Sequence, residues 1–220
     1  MKIERFTEQN LQHFYDVVAK RNKDLQDIIC LYGYPPLWVR PNTFQTLVLT
    51  ILEQQVSLAS AYAAYKKLQE NLKNITPKKL LQLSDEELRS CYLSRQKIIY
   101  TRELANAIVS KKISLKNFEE MDDNAVRHEL KKLKGIGDWT VDIYLIHALR
   151  RTDVFPIGDL ALVNAIKMVK GSNTITREEI LQMSDAWKPY RSIATLVFWH
   201  YYIKKKNIKY LTPNPSPAKL

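Results

Sequence analysis

The spacing of apolar residues along the chain predicts helices almost throughout. Near the N-terminus, Leu11, Phe14, Tyr15 and Val18 lie mostly three or four residues apart, which places their side chains on one face of an α-helix. Very little of the chain has a pattern typical of a strand, so we predict an all-α fold. The predicted helices occupy one or two segments up to about residue 31 and the ranges 43–56, 59–72, 77–82, 85–90, 95–109, 123–133, 138–150, 159–171, 176–183 and 190–203.

Capping residues mark several of the helix boundaries. Thr43 precedes one helix as an N-cap, and Ser84 with Glu87 three residues later forms a capping box. Thr7 is the expected cap of the first helix. The helix at 43–56 is apolar on most of its sides, which is typical of a helix at the centre of a fold.

A Gly-Ile-Gly sequence between two predicted helices is the most distinctive local feature. Gly135 and Gly137 permit a tight hairpin, because glycine adopts backbone conformations that other residues resist. Backbone N–H groups at the start of the following helix bind anions such as phosphate. Three lysines next to the hairpin add positive charge: Lys131, Lys132 and Lys134. We therefore predict that the hairpin binds a nucleic-acid backbone.

The composition agrees with a nucleic-acid ligand. The 220 residues include 34 Lys and Arg against 23 Asp and Glu, a formal net charge of +11. Such a charge suits a polyanionic partner, although basic surfaces often contact only solvent. A chain of this length forms one ordinary domain or two small lobes with a full core.

Other protein classes are disfavoured by the same sequence. The two cysteines, Cys30 and Cys91, are not spaced as Cys-x-x-Cys, so neither a disulfide framework nor a zinc or iron–sulfur site is predicted. No apolar run approaches the roughly 18 residues of a membrane span, and the N-terminal residues are too polar for a secretory signal. We expect an intracellular protein, in the cytoplasm or nucleoid of a bacterium or archaeon or in the nucleus of a eukaryote.

Several motifs together resemble the helix–hairpin–helix DNA glycosylase superfamily, and most closely its DNA-3-methyladenine glycosylase II members. LKGIGDWT followed by VFPIGDLAL is similar to the hairpin, the Gly/Pro-rich loop and the aspartate of that superfamily. The stretches ILEQQVS at 51–57 and WKPYRSIATLVFW at 187–199 extend the resemblance. Together these motifs make the resemblance specific, since a Gly-Ile-Gly hairpin alone occurs in many DNA-binding proteins.

The resemblance implies a single glycosylase domain built as a two-lobed helical bundle. One lobe is expected at approximately 43–121, and the other at 1–42 together with 122–205. The proline-rich, charged segment 206–220 is predicted to be a mobile tail. The expected partner is double-stranded DNA that contains damaged bases, bound by a monomer without membrane association.

Asp159 is the candidate catalytic residue. It lies at a predicted helix start, where the helix dipole favours the ionised carboxylate, and an aspartate there can also be a simple N-cap. The resemblance implies that Asp159 instead stabilises the positive charge that develops at C1′ when the base departs. It also implies a base pocket bordered by aromatic and apolar side chains, although tryptophan is more often a core residue. The pocket candidates are Trp139, Ile143, Tyr144 and Trp199.

DNA contacts are expected from three segments. Gln55 lies at the end of the buried helix predicted at 43–56, where glutamines can simply satisfy the last helix carbonyls. The resemblance implies instead that Gln55 reaches into the duplex near the base left unpaired by extrusion. Arg95 is the closest match to a side chain that wedges into the duplex, with solvation or phosphate binding as the alternative and Leu93 expected in the core. The hairpin candidates are Lys134, Gly135, Gly137 and Thr140.

The resemblance requires no organic cofactor, but such hairpins often hold a sodium or potassium ion through backbone carbonyls. The corresponding carbonyls here are those of Lys131, Leu133 and Ile136. In bifunctional members a lysine amine attacks C1′, and Trp139 occupies the position of that lysine. We therefore expect a monofunctional DNA glycosylase that removes alkylated purines of the 3-methyladenine or 7-methylguanine type. A bifunctional glycosylase/lyase for oxidised bases and a non-catalytic DNA-binding module remain as alternatives.

Overall fold

The computed structural model describes residues 3–208, and this part of the chain is helical without a sheet. It contains an isolated antiparallel bridge between Arg5 and Arg151. No helix in this range is long and apolar enough to cross a membrane. Between residues 3 and 208, thirteen α-helices run in the order α1 Leu11–Arg21, α2 Lys23–Tyr32, α3 Phe44–Glu53, α4 Leu58–Leu72, α5 Pro77–Gln82, α6 Asp85–Ser90, α7 Arg95–Val109, α8 Leu115–Phe118, α9 Asp123–Lys131, α10 Asp138–His147, α11 Leu160–Lys170, α12 Arg177–Ser184 and α13 Arg191–Lys205.

The all-α prediction is confirmed, and the helices follow the predicted order. One short helix, α8, was not predicted, because four residues are too few to show a helical period. The predicted mobile tail lies outside the described residues from 209 onward.

The described residues divide into two compact units. The terminal unit comprises 3–39 and 150–208, and the central unit comprises 40–149. In the terminal unit, α13 packs against α1, α2 and α11. The apolar residues of α13 provide much of this core, since Ile193, Ala194, Leu196 and Val197 are completely buried. The terminal unit thus holds α11, which begins directly after Asp159.

The central unit is organised around α3, as the apolar pattern of 43–56 predicts. Helix α3 packs against α4, α7 and α10, and its side chains Leu47, Val48, Ile51 and Leu52 have no exposed surface. Burying a large aliphatic side chain contributes about 1.5–3 kcal/mol, so these residues make α3 the main apolar support of the unit. The hairpin between α9 and α10 belongs to this unit.

The lobe boundary differs from the one that the sequence suggested. Residues 122–149 were expected with 1–42 and 150–205, whereas the structure groups them with 40–121. The physical reason is the burial of α10, which has no exposed residue between Thr140 and His147. Because α10 packs against α3, the hairpin helices are part of the central core.

Local capping chemistry explains most helix starts. The side chains of Thr43, Ser94 and Asp122 each accept a hydrogen bond from a backbone N–H of the following helix. Ser84 forms the predicted capping box with Glu87. The predicted cap at Thr7 is wrong: α1 begins after Asn10, and the Thr7 N–H donates to Asn10 Oδ1 instead.

Candidate active site and nucleic-acid interface

The two hairpin glycines have different structural roles. Gly135 has a φ of +87°, a left-handed conformation that side-chain-bearing residues adopt only at a cost. A Cβ atom at this position would lie 2.0 Å from Cγ of Tyr100. Gly135 is therefore required both by its backbone conformation and by the tyrosine ring of α7 that packs against it.

Gly137 is required by neither condition. Its φ is −102°, and an added Cβ would meet nothing within 4 Å. Gly137 is the N-cap of α10 and supplies no side-chain acceptor for the amides of the first turn. A helix start of this kind presents N–H groups to an anion, so the geometry at Gly137 agrees with the predicted phosphate site.

The lysines next to the hairpin are not equivalent. Lys131 Nζ lies 2.8 Å from Asp138 Oδ1, and Lys132 Nζ lies 2.6 Å from Glu129 Oε1. Lys134 is exposed and has no ion pair with any residue between 3 and 208. The predicted cationic rim is therefore partly neutralised, and Lys134 is the lysine whose charge no nearby carboxylate offsets.

A partly buried ion pair joins the two hairpin helices. Arg127 of α9 donates to Asp142, whose side chain is 7% exposed on α10. Burial raises the pKa of Asp142 to about 6, although Arg127 acts in the opposite direction. The pKa of Asp138 is lowered by its hydrogen bond with Lys131. These carboxylates fix α9 against α10, and Asp142 is therefore assigned to hairpin structure.

Gln54 contacts the hairpin directly, a role that sequence reasoning missed. Its Nε2 donates to the carbonyl oxygen of Gly135 at 2.8 Å and to Oγ1 of Thr140 at 2.9 Å. Thr140 is buried, with 2% of its surface exposed. A contact between Thr140 and DNA would therefore use its backbone amide, because its hydroxyl is bonded to Gln54.

Gln55, the predicted DNA-contacting residue, is exposed and has a φ of +55°. This left-handed conformation makes the backbone turn immediately after Gln54. The two consecutive glutamines therefore have different environments: Gln54 is half-buried against the hairpin, and Gln55 is on the surface. The prediction that Gln55 contacts DNA agrees with its exposure.

The loop before α7 presents an exposed tyrosine in addition to the predicted Arg95. Leu93 is buried, as expected, and Arg95 is exposed as the first residue of α7. Tyr92 is 68% exposed and has a φ of +65°, so it is a second candidate for a contact with the duplex. In the sequence, Tyr92 is adjacent to the end of α6, and its exposure was not evident there.

Asp159 combines a capping role with a second hydrogen bond. Its Oδ1 accepts the N–H of Leu162 at 2.8 Å, and the same oxygen accepts Nε1–H of Trp199 at 3.0 Å. The Asp159 N–H donates to the carbonyl oxygen of Pro156. The side chain is half-buried. The carboxylate is thus held in one orientation by α11, by α13 and by the preceding loop.

The four predicted pocket residues differ in their surroundings. Trp199 lies beside Asp159 in the terminal unit, as predicted, and is 8% exposed. Trp139 is half-buried, and Ile143 is buried one turn later on α10 in the central unit. Tyr144 is completely buried and its hydroxyl donates to Asn42, so its packing is that of a core residue and does not support a place in the base pocket.

The hairpin carbonyls proposed to bind an alkali ion are also partly engaged. The Leu133 carbonyl accepts the N–H of Ile136 at 3.1 Å, which occupies one of its two lone pairs. No group of three or more His, Cys, Asp and Glu residues suitable for a metal is found among residues 3–208. The metal ligands that the hairpin can offer are therefore backbone carbonyl oxygens, which suit hard cations.

Comparison with known proteins identifies the family. The profile of the HhH-GPD superfamily base excision DNA repair proteins matches residues 48–189, which include the hairpin and Asp159. The chain belongs to this superfamily. It is 29% identical over 201 residues to a putative DNA-3-methyladenine glycosylase, YfjP, of Bacillus subtilis, and the match covers 87% of this chain and 69% of the relative.

Solved structures share the fold. A DNA-3-methyladenine glycosidase from Bacillus halodurans superimposes with a TM-score of 0.73 at 28% identity, over 94% of this chain and 95% of that one. The Schizosaccharomyces pombe 3-methyladenine DNA glycosylase Mag1, solved in complex with abasic DNA, gives a TM-score of 0.78 at 24% identity, over 93% of this chain and 100% of that one. The expected helix–hairpin–helix glycosylase fold is confirmed.

Proposed function

We propose that the protein is a monofunctional DNA glycosylase of base excision repair. It extrudes alkylated purines of the 3-methyladenine or 7-methylguanine type, hydrolyses the N-glycosidic bond and leaves an abasic site. The observation that carries the proposal is Asp159, whose carboxylate is held by α11 and Trp199. The motif resemblance implies that this residue is the aspartate of the superfamily. Membership of the superfamily and the relatives named for 3-methyladenine support the same activity.

Asp159 supplies electrostatic stabilisation in this proposal. Loss of the base makes C1′ oxocarbenium-like, and a fixed carboxylate lowers the energy of that positive charge without reorganising. The same carboxylate orients the attacking water.

Substrate choice follows from the leaving group. An alkylated purine already carries positive charge, so it departs without strong acid catalysis and is attracted to an aromatic face. We propose that Trp199, which lies beside Asp159 in the terminal unit, provides an aromatic face for the extruded base. Trp139 and Ile143 of the central unit stay candidates from the family resemblance. No organic cofactor takes part in this reaction.

We propose that double-stranded DNA is bound by a monomer through the central unit. The amides of α10 at Gly137 and the charge of Lys134 contact phosphates, while Gln55 and Arg95 reach the duplex from the neighbouring loops. A sodium or potassium ion held by the carbonyls of Lys131, Leu133 and Ile136 would fix the hairpin backbone. The enzyme acts where cellular DNA is, inside the cell.

The test is the release of free base from methylated duplex DNA. Parent protein should release alkylated purine and leave strands that break only after alkali, and borohydride should trap no covalent adduct because Trp139 stands in place of an amine. Asp159→Asn keeps the capping oxygen but removes the charge, so it should fold and bind DNA while single-turnover excision falls by a few hundredfold, about 3–4 kcal/mol.

Three outcomes contradict the proposal. An Asn variant that excises at the parental rate removes Asp159 from catalysis. A borohydride-trapped adduct with strand cleavage before alkali establishes the bifunctional alternative. Binding to DNA without release of any base establishes the non-catalytic alternative.

A further inference from the structure

Gln54 is the side chain that joins two surface segments of the central unit. One segment is the turn after α3, which presents Gln55, and the other is the hairpin between α9 and α10. A single amide group of Gln54 donates to Gly135 and to Thr140. One partner lies in the loop of the hairpin and the other in the first turn of α10, so Gln54 contacts the loop and the helix that follows it.

Separate interactions hold the end of α3 in place. Arg40 and Glu53 form a buried ion pair, with Arg40 Nη2 2.6 Å from Glu53 Oε1. Lys97 Nζ donates to the carbonyl oxygen of Leu52 at 2.6 Å, and burial lowers the pKa of Lys97. Together with the Gln54 hydrogen bonds, these contacts fix three consecutive residues, which are the last two residues of α3 and its C-cap.

The residue that follows is in a conformation that needs such support. Gln55 has a φ of +55°, and a non-glycine residue in the left-handed region costs on the order of 1 kcal/mol. Conformations of this kind persist when the surroundings determine them, and they are concentrated at functional sites. Gln55 is exposed, so it gains no core packing from this geometry.

We propose that Gln54 is a positioning residue for base extrusion: its two hydrogen bonds set the position of the Gln55 turn relative to the phosphate-binding hairpin. The inference rests on the proposed function, because it assumes that both segments contact the same duplex. The hairpin grips the backbone, and Gln55 enters the duplex at the position from which the base departs. The hydrogen bonds of Gln54 keep the Gln55 turn and the hairpin at a fixed distance from each other.

The physical consequence is a separation between binding and extrusion. Loss of the Gln54 hydrogen bonds leaves the α10 amides and Lys134 unchanged, so backbone binding remains. The Gln55 turn, however, is no longer held against the hairpin, and its contact is made only when thermal motion returns it to the correct position. Extrusion of the base should therefore weaken while non-specific duplex affinity does not.

The experiment compares Gln54→Leu with Gln45→Leu. Leucine has a similar size and cannot donate a hydrogen bond. Gln45 is the matched control because it is also a half-buried glutamine of the α3 region, and its Nε2 donates to Asn74, a residue far in sequence from the hairpin. Both variants lose side-chain hydrogen bonds of the central unit, but Gln54→Leu alone loses bonds to the hairpin.

Three measurements are made on the full chain: affinity for undamaged duplex, fluorescence of a 2-aminopurine placed beside a methylated purine, and single-turnover release of that purine. For Gln54→Leu we expect duplex affinity within twofold of the parent, with the fluorescence change and the release rate each lowered about tenfold. Gln45→Leu should match the parent in all three. Melting temperatures should fall by similar amounts in the two variants.

The outcomes separate the inference from the function on which it rests. A parent protein that releases no base refutes the glycosylase proposal. If the parent is active and Gln54→Leu extrudes and excises like the parent, the positioning role is wrong. A parallel loss of affinity, extrusion and melting temperature in Gln54→Leu would assign Gln54 to structure alone.

A variant Gln54→Lys, which can donate to the same two acceptors, should recover extrusion if the hydrogen bonds are the cause.

Discussion

At the scale of single residues, the capping role of Asp159 does not exclude the catalytic role that we propose for it. Its Oδ1 caps α11 through Leu162 and accepts the indole N–H of Trp199. Both donors contact the same carboxylate oxygen, Oδ1. Trp199 therefore has a role that a purely stacking residue lacks, because it holds the carboxylate through its N–H.

The role of Trp199 is tested by Trp199→Phe. Phenylalanine keeps an aromatic face but cannot donate to Asp159, and a hydrogen bond to a charged group contributes roughly 1.5–3 kcal/mol. We expect single-turnover excision to fall about tenfold, which corresponds to about 1.4 kcal/mol, while affinity for an abasic product stays near the parental value.

Trp187→Phe is the matched control for this change. Trp187 is buried in the same unit, and its indole nitrogen has no hydrogen-bond partner among the described residues. The substitution therefore removes the same atoms without removing a hydrogen bond, and excision should be unchanged. Equal losses of activity in the two variants would show that packing, and not the bond to Asp159, causes the effect.

At the scale of elements, the sequence predicts what local chemistry determines. The caps at Thr43, Ser84 and Ser94 were predictable because each side chain bonds an amide three residues away. The contact of Gln54 with the hairpin was not predictable, because the hairpin is more than eighty residues distant in the sequence. Which of the two consecutive glutamines makes this contact depends on the backbone conformation at Gln55. The lobe boundary was missed for a similar reason, since it depends on the packing of α10 against α3.

The hairpin glycines illustrate the same limit of local pattern. The two glycines look equivalent in the sequence Gly-Ile-Gly. Gly135 is required by its left-handed backbone conformation and by the ring of Tyr100, whereas Gly137 has an ordinary φ and open space around it. Glycine at Gly137 leaves the start of α10 without a side-chain cap. We infer that the open amides, and not chain geometry, require glycine there.

Gly137→Ser tests this interpretation. A serine N-cap is a few tenths of a kcal/mol more favourable than glycine, so the variant should be as stable as the parent or slightly more stable. Its hydroxyl competes with phosphate for the first-turn amides, and duplex affinity should fall about tenfold. Thermal melting and fluorescence anisotropy measure the two quantities. Parental affinity in a variant of equal stability would show that these amides do not contact DNA.

At the scale of the whole molecule, the formal net charge of +11 attracts DNA but does not identify the contact surface. Several basic side chains are paired with carboxylates, as Lys132 is with Glu129 and Lys131 with Asp138. Exposed pairs of this kind contribute little to stability, but each places a negative charge where a phosphate would bind. The surface that binds DNA is therefore determined by local charge, and Lys134 is the hairpin lysine that retains it.

Lys134→Gln and Lys132→Gln separate local charge from net charge, because each lowers the net charge by the same amount. A lysine that contacts phosphate releases about one counterion, so its loss lowers the slope of log affinity against log salt by about one. We expect that change for Lys134→Gln and a smaller one for Lys132→Gln, whose charge Glu129 already offsets. Anisotropy titrations of undamaged duplex over a range of salt concentrations measure both slopes. Equal changes would show that net charge alone governs binding, and no change in either variant would place the hairpin outside the DNA interface.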